Sequence, residues 1–359
     1  MRIAVVNLTG GGLSGGYRKY LSRLMPLLAA DRRVSALTVF VPPGATPARD
    51  LDMRPWTADD PRQGFRRLRR DVAALRPDVV FIPTARYADF GGPPIVSMVR
   101  NMEPLTVPFG GNTLRDGLRN VARAFEARRA ARRATRVIAV SQFVREFVIG
   151  RWRIAESRVG TVYHGVDLDP ADPVSGTEAG ERTLFTAGSV RPARGLEDAI
   201  GALPRLSGDV SLVIAGGVDP GCEGYAARLR RLAARLGVAG RIAWNGHLSP
   251  AAMADAFQGS AAFVMTSRAE ACPNTALEAM AAGLPSVSVA HAPMPEFFGD
   301  AALYYPAGDA AALADRLLVL LANPGEQQRL RTAARARAAA FTWETTRDRT
   351  IEELRRALS

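Results

Sequence analysis

Short, continuous apolar runs recur along this chain and are separated by helical patterns. The runs are Arg2–Val6, Ala36–Val41, Asp78–Ile82, Ile95–Val99, Val137–Val140, Leu184–Ala187, Val210–Ala215, Ile242–Trp244, Ala262–Met265 and Ser286–Val289. Runs that are apolar throughout are typical of strands buried on both faces, as in parallel sheets covered by helices. Strand and helix alternate over the whole chain, which predicts an α/β fold with right-handed crossovers.

The length of the chain and one polar segment indicate two domains. A chain of 359 residues is too long for one ordinary core and suits two domains of about 150–200 residues each. The segment Asp167–Gly180 is rich in Pro, Gly, Asp and Ser and separates two similar series of strands and helices. We therefore expect the linker between the domains to lie there.

The composition predicts a globular protein of the cytoplasm. The chain is 47% hydrophobic and 23% charged, and no window approaches the roughly 20 apolar residues of a membrane span. The first apolar run is too short for a signal peptide. The two cysteines, Cys222 and Cys272, are too few for a disulfide framework. The three histidines lack metal-ligand spacing, so no metal site is expected.

The net charge of +12 comes almost entirely from arginine, since Lys19 is the only lysine. A genome-wide preference for arginine codons explains this charge without any function. An anionic partner also explains it, either nucleotide phosphates, a membrane surface or nucleic acid. Nucleic acid is disfavoured because aromatic residues are not interleaved among the arginines.

Two helical stretches in the first half are strongly basic. Their arginines are Arg62, Arg66, Arg67, Arg69 and Arg70 in one stretch, and Arg115, Arg119, Arg123, Arg128, Arg129, Arg132, Arg133 and Arg136 in the other. In the second stretch Leu114, Leu118, Val121 and Phe125 recur at helical spacing and form one apolar face. The simpler interpretation packs this face on the protein's own sheet, and the alternative docks it on anionic lipid headgroups at the inner face of a membrane.

A glycine-rich loop follows the first strand. Residues 10–15 satisfy the spacing G-x-G-x-x-G of dinucleotide-binding loops. Such sites also need a carboxylate at the end of the second strand, and Val39–Pro43 contains none. The loop predicts only close approach of a ligand to the backbone, with the helix that starts near Tyr17 directing amides toward an anion.

The second half carries a basic loop directly after a strand. Leu184–Ala187 continues into Gly188–Gly195, which contains Arg191 and Arg194. Two guanidinium groups on such a loop suit a phosphate clamp, because arginine binds phosphate oxygens in bidentate fashion.

A second segment follows the strand Ala262–Met265. Glu270 is expected on the loop beyond the carboxyl end of that strand, where open α/β sheets bind ligands. Pro273 and Asn274 suit a helix start, and Glu278 then lies about one turn into the helix. Amides near Asn274 and Thr275 would bind a diphosphate, while the carboxylates accept hydrogen bonds from sugar hydroxyls.

These segments resemble the retaining glycosyltransferases of family four. The family pattern of a Gly-x-x-x-Pro-x-basic-Gly loop and a Glu-x7-Glu segment is matched by Gly188–Gly195 and Glu270–Glu278. Further similar segments are Gly15-Gly16, Val140-Ser141, Tyr163–Asp167 and Phe341–Glu344. The resemblance covers essentially the whole chain and implies the GT-B fold, two Rossmann-like domains facing across a cleft.

The resemblance also implies domain limits and residue roles. Residues 1–168 with 341–359 would form the N-terminal acceptor-side domain, because the final helix returns to it, and residues 169–340 the donor-binding domain. Arg194 and Arg191 would neutralise the donor diphosphate, and Glu278 would bind the ribose. The remaining donor contacts would be Glu270 and Pro273–Thr275 at the sugar and phosphates, Gly246, His247 and Leu248 at the base, and Gly15 and Gly16 at the diphosphate.

The implied reaction transfers a sugar from a nucleoside-diphosphate sugar to an acceptor hydroxyl with retention of configuration. A leaving diphosphate develops negative charge, and arginines can stabilise it without a metal or other cofactor. Uridine, guanosine and thymidine donors stay open. The acceptor would be a lipid-linked or cell-envelope saccharide or a small natural product. A phosphorylase or sugar-nucleotide epimerase, or a catalytically weak basic surface-binding module, are the alternatives.

The chain departs from the family pattern at two places. Ser189 stands where the family usually has an arginine. The family's donor-contacting histidine is missing from Ser97–Pro104, where Asn101 could contact the sugar and Glu103 could help deprotonate the acceptor. The alternative interpretation is that Asn101 and Glu103 only cap a turn.

Overall fold

The computed structural model describes residues 1–8, 15–42, 51–56, 61–107, 109–110, 114–168 and 182–359. The chain divides into two compact units. One comprises Met1–Leu105, Arg119–Gly165 and Trp343–Ser359, and the other comprises Thr106–Leu118 and Val166–Thr342. Most of the expected linker and of the first glycine loop lies outside the described residues.

The first unit is built on a parallel sheet of seven strands in the order β3-β2-β1-β4-β5-β6-β7. The strands are β1 Arg2–Val6, β2 Ala36–Val41, β3 Asp52–Pro55, β4 Val79–Ile82, β5 Ile95–Val99, β6 Arg136–Ala139 and β7 Val159–Thr161. The helices among them are α1 Gly15–Ala29, α2 Pro61–Ala74, α3 Glu103–Thr106, α4 Leu114–Arg133 and α5 Gln142–Trp152.

The second unit contains a parallel sheet of six strands in the order β10-β9-β8-β11-β12-β13. The strands are β8 Arg182–Ala187, β9 Val210–Ala215, β10 Ile242–Gly246, β11 Ala262–Met265, β12 Ser286–Val289 and β13 Ala302–Tyr305. The helices of this unit are α6 Leu196–Ala202, α7 Glu223–Arg235, α8 Pro250–Gln258, α9 Asn274–Ala281, α10 Met294–Phe298, α11 Ala310–Ala322 and α12 Pro324–Ala338. The last helix of the chain is α13 Trp343–Arg356.

The prediction of an α/β fold with two parallel sheets is confirmed. All ten predicted strands are present, with limits within two residues of the expected ones. The sequence missed β3, β7 and β13, each of which lies at the edge of its sheet. No helix in the described ranges is long and apolar enough to cross a bilayer.

Helix α13 belongs to the first unit although it follows the second unit in sequence. Its Glu353 accepts hydrogen bonds from Arg136 on β6, at 2.9 Å from Nε and 2.6 Å from Nη2. Both side chains are nearly inaccessible to water, with 5% and 11% of their surfaces exposed. Thr346 also donates a 2.9 Å hydrogen bond to the carbonyl of Tyr163. A buried ion pair therefore fixes the register of α13 on the sheet.

The interpretation that packs the apolar residues of α4 on the protein's own sheet is wrong. Leu114, Leu118, Val121 and Phe125 are exposed over 73%, 59%, 46% and 69% of their surfaces. The helix instead buries small residues, which are Gly117, Asn120, Ala127, Ala130 and Ala131. A stripe of small side chains lets a helix lie close to its support, so the large apolar side chains face away from it.

Replacing Glu353 by alanine should lower the free energy of unfolding by about 3–5 kcal/mol, because Arg136 would stay buried without its partner carboxylate. Urea unfolding followed by tryptophan fluorescence would measure this loss, since Trp56, Trp152 and Trp343 all lie in the first unit. Glu352→Ala is the matched control on the same helix. Glu352 forms exposed ion pairs, and its loss should cost less than about 1 kcal/mol. Equal losses would contradict this account of α13.

Candidate functional site

Strands β8 and β11 lie side by side in the middle of the second sheet, and the chain proceeds from them in opposite directions. From β8 it moves toward β9 and β10, and from β11 toward β12 and β13. With right-handed crossovers, the helices after β8 and β11 cover opposite faces. The loops at the carboxyl ends of these two strands therefore diverge and leave a crevice, the usual ligand position in open α/β sheets.

The two segments singled out by the sequence meet at this crevice. Arg194 follows β8 and forms an ion pair with Glu270, which follows β11. The same Nη1 atom lies 3.1 Å from the hydroxyl of Ser267. Two bonds to backbone carbonyls reinforce the contact, from Thr266 Oγ1 to Arg194 at 2.7 Å and from the Arg268 amide to Ala193 at 2.8 Å. The basic loop is thus fastened to the loop that carries Glu270.

Two glycines permit this arrangement. Gly188 has a φ of +137°, and a Cβ there would lie 2.6 Å from Cζ of Arg194. Gly195 has a φ of +59°, and a Cβ there would lie 2.5 Å from the carbonyl oxygen of Thr266. Both positions therefore combine a backbone conformation that favours glycine with a close approach of neighbouring atoms.

The described contacts leave part of the hydrogen-bonding capacity of the Arg194 guanidinium unsatisfied. Its Nη1 atom contacts Glu270 and Ser267. Its Nε atom is buried and has no hydrogen-bond partner within the described part of the chain. An arginine has five N–H donors in a rigid fork, so further acceptors are needed to satisfy it. An anionic ligand with several oxygens would supply them.

Arg191 is held by a residue that the sequence analysis missed. Its Nη1 atom lies 3.7 Å from Oδ2 of Asp219, on the loop after β9. The amide of Val190 also donates to the carbonyl of Gly217 at 2.8 Å. Asp219 lies 28 residues downstream of Arg191, and only the pairing of β8 with β9 brings their loops together.

Helix α9 begins at Asn274, as predicted. The carbonyl of Pro273 accepts from the amides of Ala276 and Leu277 at 3.0 and 3.1 Å, which closes the first turn. The first amides of a helix have no intrahelical acceptor and attract anions. Thr275 lies in this first turn, and Glu278 follows it by one turn, partly accessible to solvent.

The end of β10 forms a further part of this edge. Gly246 has a φ of +60°, and its carbonyl accepts from the amide of Gly216 at 2.6 Å. The ring of His247 lies against Gly217, where a Cβ would be 2.5 Å from Nε2. Leu248 follows and is partly exposed. The expected base-binding residues are thus close to the loop that holds Arg191. No sequence pattern predicted the contacts of Gly216 and Gly217 with them.

The first unit places its predicted residues at the carboxyl edge of its own sheet. Gly15 and Gly16 begin α1, and a Cβ at Gly15 would meet nothing within 4 Å. The guanidinium of Arg100, directly after β5, lies 4.1 Å from the ring centroid of buried Tyr17. Burial raises the pKa of Tyr17 far above its usual value, while the charge of Arg100 opposes that rise. Arg100 and Tyr17 were not among the predicted site residues.

Asn101 and Glu103 are in direct contact. The side-chain oxygen of Asn101 accepts a 3.1 Å hydrogen bond from the backbone amide of Glu103, at the start of α3. This is the bond that the turn-capping interpretation requires. The Glu103 side chain is buried. A role for either side chain at a substrate stays a prediction.

Two α/β units, each built on a parallel sheet, are the architecture of glycosyltransferases of the GT-B fold class. The chain matches the family description "Glycosyltransferase Family 4" over residues 15–170 and "Glycosyl transferases group 1" over residues 169–337. Together these matches run from residue 15 to residue 337. The chain belongs to glycosyltransferase family 4.

Curated mycobacterial glycosyltransferases are similar to part of the chain. The D-inositol 3-phosphate glycosyltransferases of Mycobacterium bovis (strain BCG / Pasteur 1173P2) and Mycobacterium tuberculosis (strain ATCC 25618 / H37Rv) are 31% identical to it over 217 residues. The matched region is 56% of this chain, which spans only 44% of the length of these curated relatives.

Two solved structures share the fold over nearly the entire chain. Anabaena Alr3699/HepE in complex with UDP has a TM-score of 0.78 and 19% identity, and the match covers 99% of this chain and 100% of that one. The sucrose-phosphate synthase of Thermosynechococcus elongatus has a TM-score of 0.77 and 17% identity, with 99% and 98% covered.

Gly195→Ala should lower the free energy of unfolding by about 1–3 kcal/mol, because the new side chain must occupy a left-handed conformation against the Thr266 carbonyl. Gly208→Ala provides the control, since Gly208 has no positive φ and a Cβ there meets nothing within 4 Å. It should be neutral or slightly stabilising. Urea unfolding followed by circular dichroism compares the two variants. A Gly195→Ala protein as stable as wild type would refute the close packing of the basic loop on the loop that carries Glu270.

Proposed function

We propose that the protein transfers a sugar from a nucleoside-diphosphate sugar to an acceptor hydroxyl, with retention of configuration and without a metal ion. The observation that carries the proposal is the position of Arg194 beside Glu270 at the divergence of β8 and β11. HepE, which shares the fold, has been crystallised with UDP and with UDP-glucose. UDP-glucose is accordingly the donor to test first, ahead of the guanosine and thymidine donors.

In this proposal the two arginines stabilise the leaving diphosphate. The bond between C1 of the sugar and the phosphate oxygen breaks, and the electron pair stays on the diphosphate. Fixed cations near that oxygen lower the energy of the transition state, where its charge develops. Arg194 is held by Glu270 and Ser267, and Arg191 by Asp219, so both guanidinium groups are oriented before the donor binds.

The carboxylates and amides of the second unit would bind the rest of the donor. Glu270 would accept from sugar hydroxyls, and Glu278 from the ribose hydroxyls. The backbone of Pro273, Asn274 and Thr275 at the start of α9 would donate to the phosphates. Gly246, His247 and Leu248 would line the base pocket.

Gly15 and Gly16 would approach the diphosphate from the first unit. Nothing in the described surroundings of Gly15 requires a glycine there, since a Cβ would meet no atom within 4 Å. Room for a ligand would then explain why position 15 has no side chain.

Retention would follow from attack on the same face that the diphosphate leaves. The acceptor oxygen forms its bond to C1, and its proton passes to the departing phosphate oxygen or to Glu103. Asn101 would donate a hydrogen bond from its amide group to the donor sugar, in place of the missing histidine. Its carbonyl oxygen is already occupied by the Glu103 amide, which orients the NH2 group.

The acceptor belongs to one of two classes in this proposal. A lipid-linked or cell-envelope saccharide is supported by the basic helices of the first unit. A small molecule is supported by the curated relatives, which are named for D-inositol 3-phosphate. Arg100, lying over Tyr17, would suit an anionic group on either.

Calorimetric titration with UDP in the presence of EDTA should show saturable binding by the wild-type protein. Arg194→Ala and Glu278→Ala should each weaken it by about 10- to 100-fold, since hydrogen bonds to charged groups contribute about 1.5–3 kcal/mol. Arg182→Ala should leave it unchanged, because Arg182 starts β8 at the opposite edge of the sheet. Unchanged UDP affinity in both site variants would refute the donor site, and binding that EDTA abolishes would refute metal independence.

Asn101→Asp separates a catalytic role from turn capping. The aspartate keeps the oxygen that accepts from Glu103 but loses the NH2 donor, so the turn is preserved while the proposed sugar contact is lost. We expect kcat for UDP release from UDP-glucose to fall by at least about tenfold with an unchanged melting temperature. Proton NMR of the first sugar product would show the retained α configuration. Wild-type turnover by Asn101→Asp would leave Asn101 with turn capping alone.

A further inference from the structure

The outward face of α4 combines an apolar stripe with a high density of arginine. Leu114, Leu118, Val121 and Phe125 follow one another at spacings of four, three and four residues, so they line one side of the helix. The stripe is about 16 Å long at 1.5 Å per residue. All four side chains are exposed. A soluble helix usually turns such a stripe inward, and here the inward side is made of alanine, glycine and asparagine instead.

The same helix is rich in arginine. Those that are exposed are Arg115, Arg119, Arg123, Arg129, Arg132 and Arg133. The helix has two acidic residues, Asp116 and Glu126. Glu126 lies 3.6 Å from Arg86, which adds a further cation to the same region. The helix that carries the apolar stripe is therefore strongly positive.

Helix α2 extends this surface. The chain moves in the same direction across the sheet from β3 to β4 and from β5 to β6, so right-handed crossovers place α2 and α4 on one face. The segment after β4 contacts both helices. Phe90 packs on Phe65 of α2, with ring centroids 6.1 Å apart, and Tyr87 lies under Arg133 of α4. The exposed arginines of α2 are Arg66, Arg67, Arg69 and Arg70.

We propose that this face, formed by α2 and α4, docks on the surface of a bilayer that contains anionic lipids. Leu114, Leu118, Val121 and Phe125 would enter the boundary between headgroups and acyl chains, while the arginines bind lipid phosphates. A bilayer surface is the one partner that offers anionic groups and an apolar layer side by side over such an area.

Charge disfavours the other occupants. A second copy of this chain would set two arginine-rich faces against each other, and like charges at an interface are unfavourable. Nucleic acid would satisfy the arginines but would leave the aliphatic stripe in water. The inference concerns the outward face of α2 and α4 and holds whether or not the donor site acts as proposed.

Co-sedimentation with vesicles tests the docking. Wild-type protein should bind vesicles of phosphatidylcholine with 30% phosphatidylglycerol and should bind pure phosphatidylcholine at least about tenfold more weakly. Raising the salt from about 0.1 M to 0.5 M should weaken the binding without abolishing it, because salt screens the charges and leaves the apolar insertion intact.

Two pairs of variants separate the stripe from the arginines. Leu118→Ser with Phe125→Ser should reduce vesicle binding by about tenfold or more. The control, Leu318→Ser with Val319→Ser, changes two exposed apolar residues of α11 and should have no effect. Arg115→Gln with Arg129→Gln should reduce binding by about 30-fold, roughly fivefold for each arginine. The control, Arg231→Gln with Arg235→Gln on α7, removes the same charge from another exposed helix and should reduce vesicle binding less.

Three outcomes would overturn the proposal. The first is absence of binding to the anionic vesicles, and the second is equal loss in the site variants and in their controls. The third is loss of self-association in the Leu118→Ser, Phe125→Ser variant, measured by sedimentation velocity, with vesicle binding unchanged. UDP titration of the same variants should match wild type, so a failed docking test and a failed donor site are distinguishable.

Discussion

Every strand described in the two sheets runs parallel to its neighbours, and this constraint determines where chemistry can occur. Parallel strands all end at the same edge of a sheet, so loops far apart in sequence meet there. In the second sheet the chain diverges between β8 and β11, and the loop carrying Arg194 meets the loop carrying Glu270. Between them lie 75 residues, and no local interaction could bring the two side chains together. The glycines, the hydroxyl of Ser267 and the start of α9 refine a position that the topology creates.

The contact between Arg194 and Glu270 has two consequences for ligand binding. A carboxylate beside the guanidinium compensates its charge and holds the side chain in one orientation before any ligand arrives. An incoming diphosphate then finds an oriented cation, but it must share that cation with Glu270. Arg191 has a looser arrangement, since Asp219 lies 3.7 Å away. The two cations therefore differ in how strongly the protein itself retains them.

The sequence predicted most of the fold because the central strands are apolar throughout. Strands β3, β7 and β13 were not predicted, because these edge strands are short and only partly buried. Asp52 and Arg54 in β3 are examples of their exposed polar residues. Helix α4 was recognised, but the sequence left two orientations open, because alanine and glycine give a weaker pattern than leucine and phenylalanine. Local motifs singled out Arg194 and Glu270, which are in contact, whereas the role of Glu278 stays a prediction. The contacts of Asp219 with Arg191, of Gly217 with His247 and of Arg100 with Tyr17 were not predicted, because they depend on strand pairing and side-chain packing that no local pattern encodes.

The docking of α13 on the first unit bears on how the chain is synthesised. The segment Val166–Thr342 separates this helix from the rest of its unit. A ribosome that adds about 5–20 residues per second needs roughly 9 to 35 s to make that segment. During this interval the nascent first unit lacks the partner of Arg136, and the ring of Tyr20 lacks Trp343. All seven strands of the first sheet are made before the second sheet, but the first unit gains its last helix only after the second unit has been synthesised. Chaperones would find their binding surface on the unit that was made first.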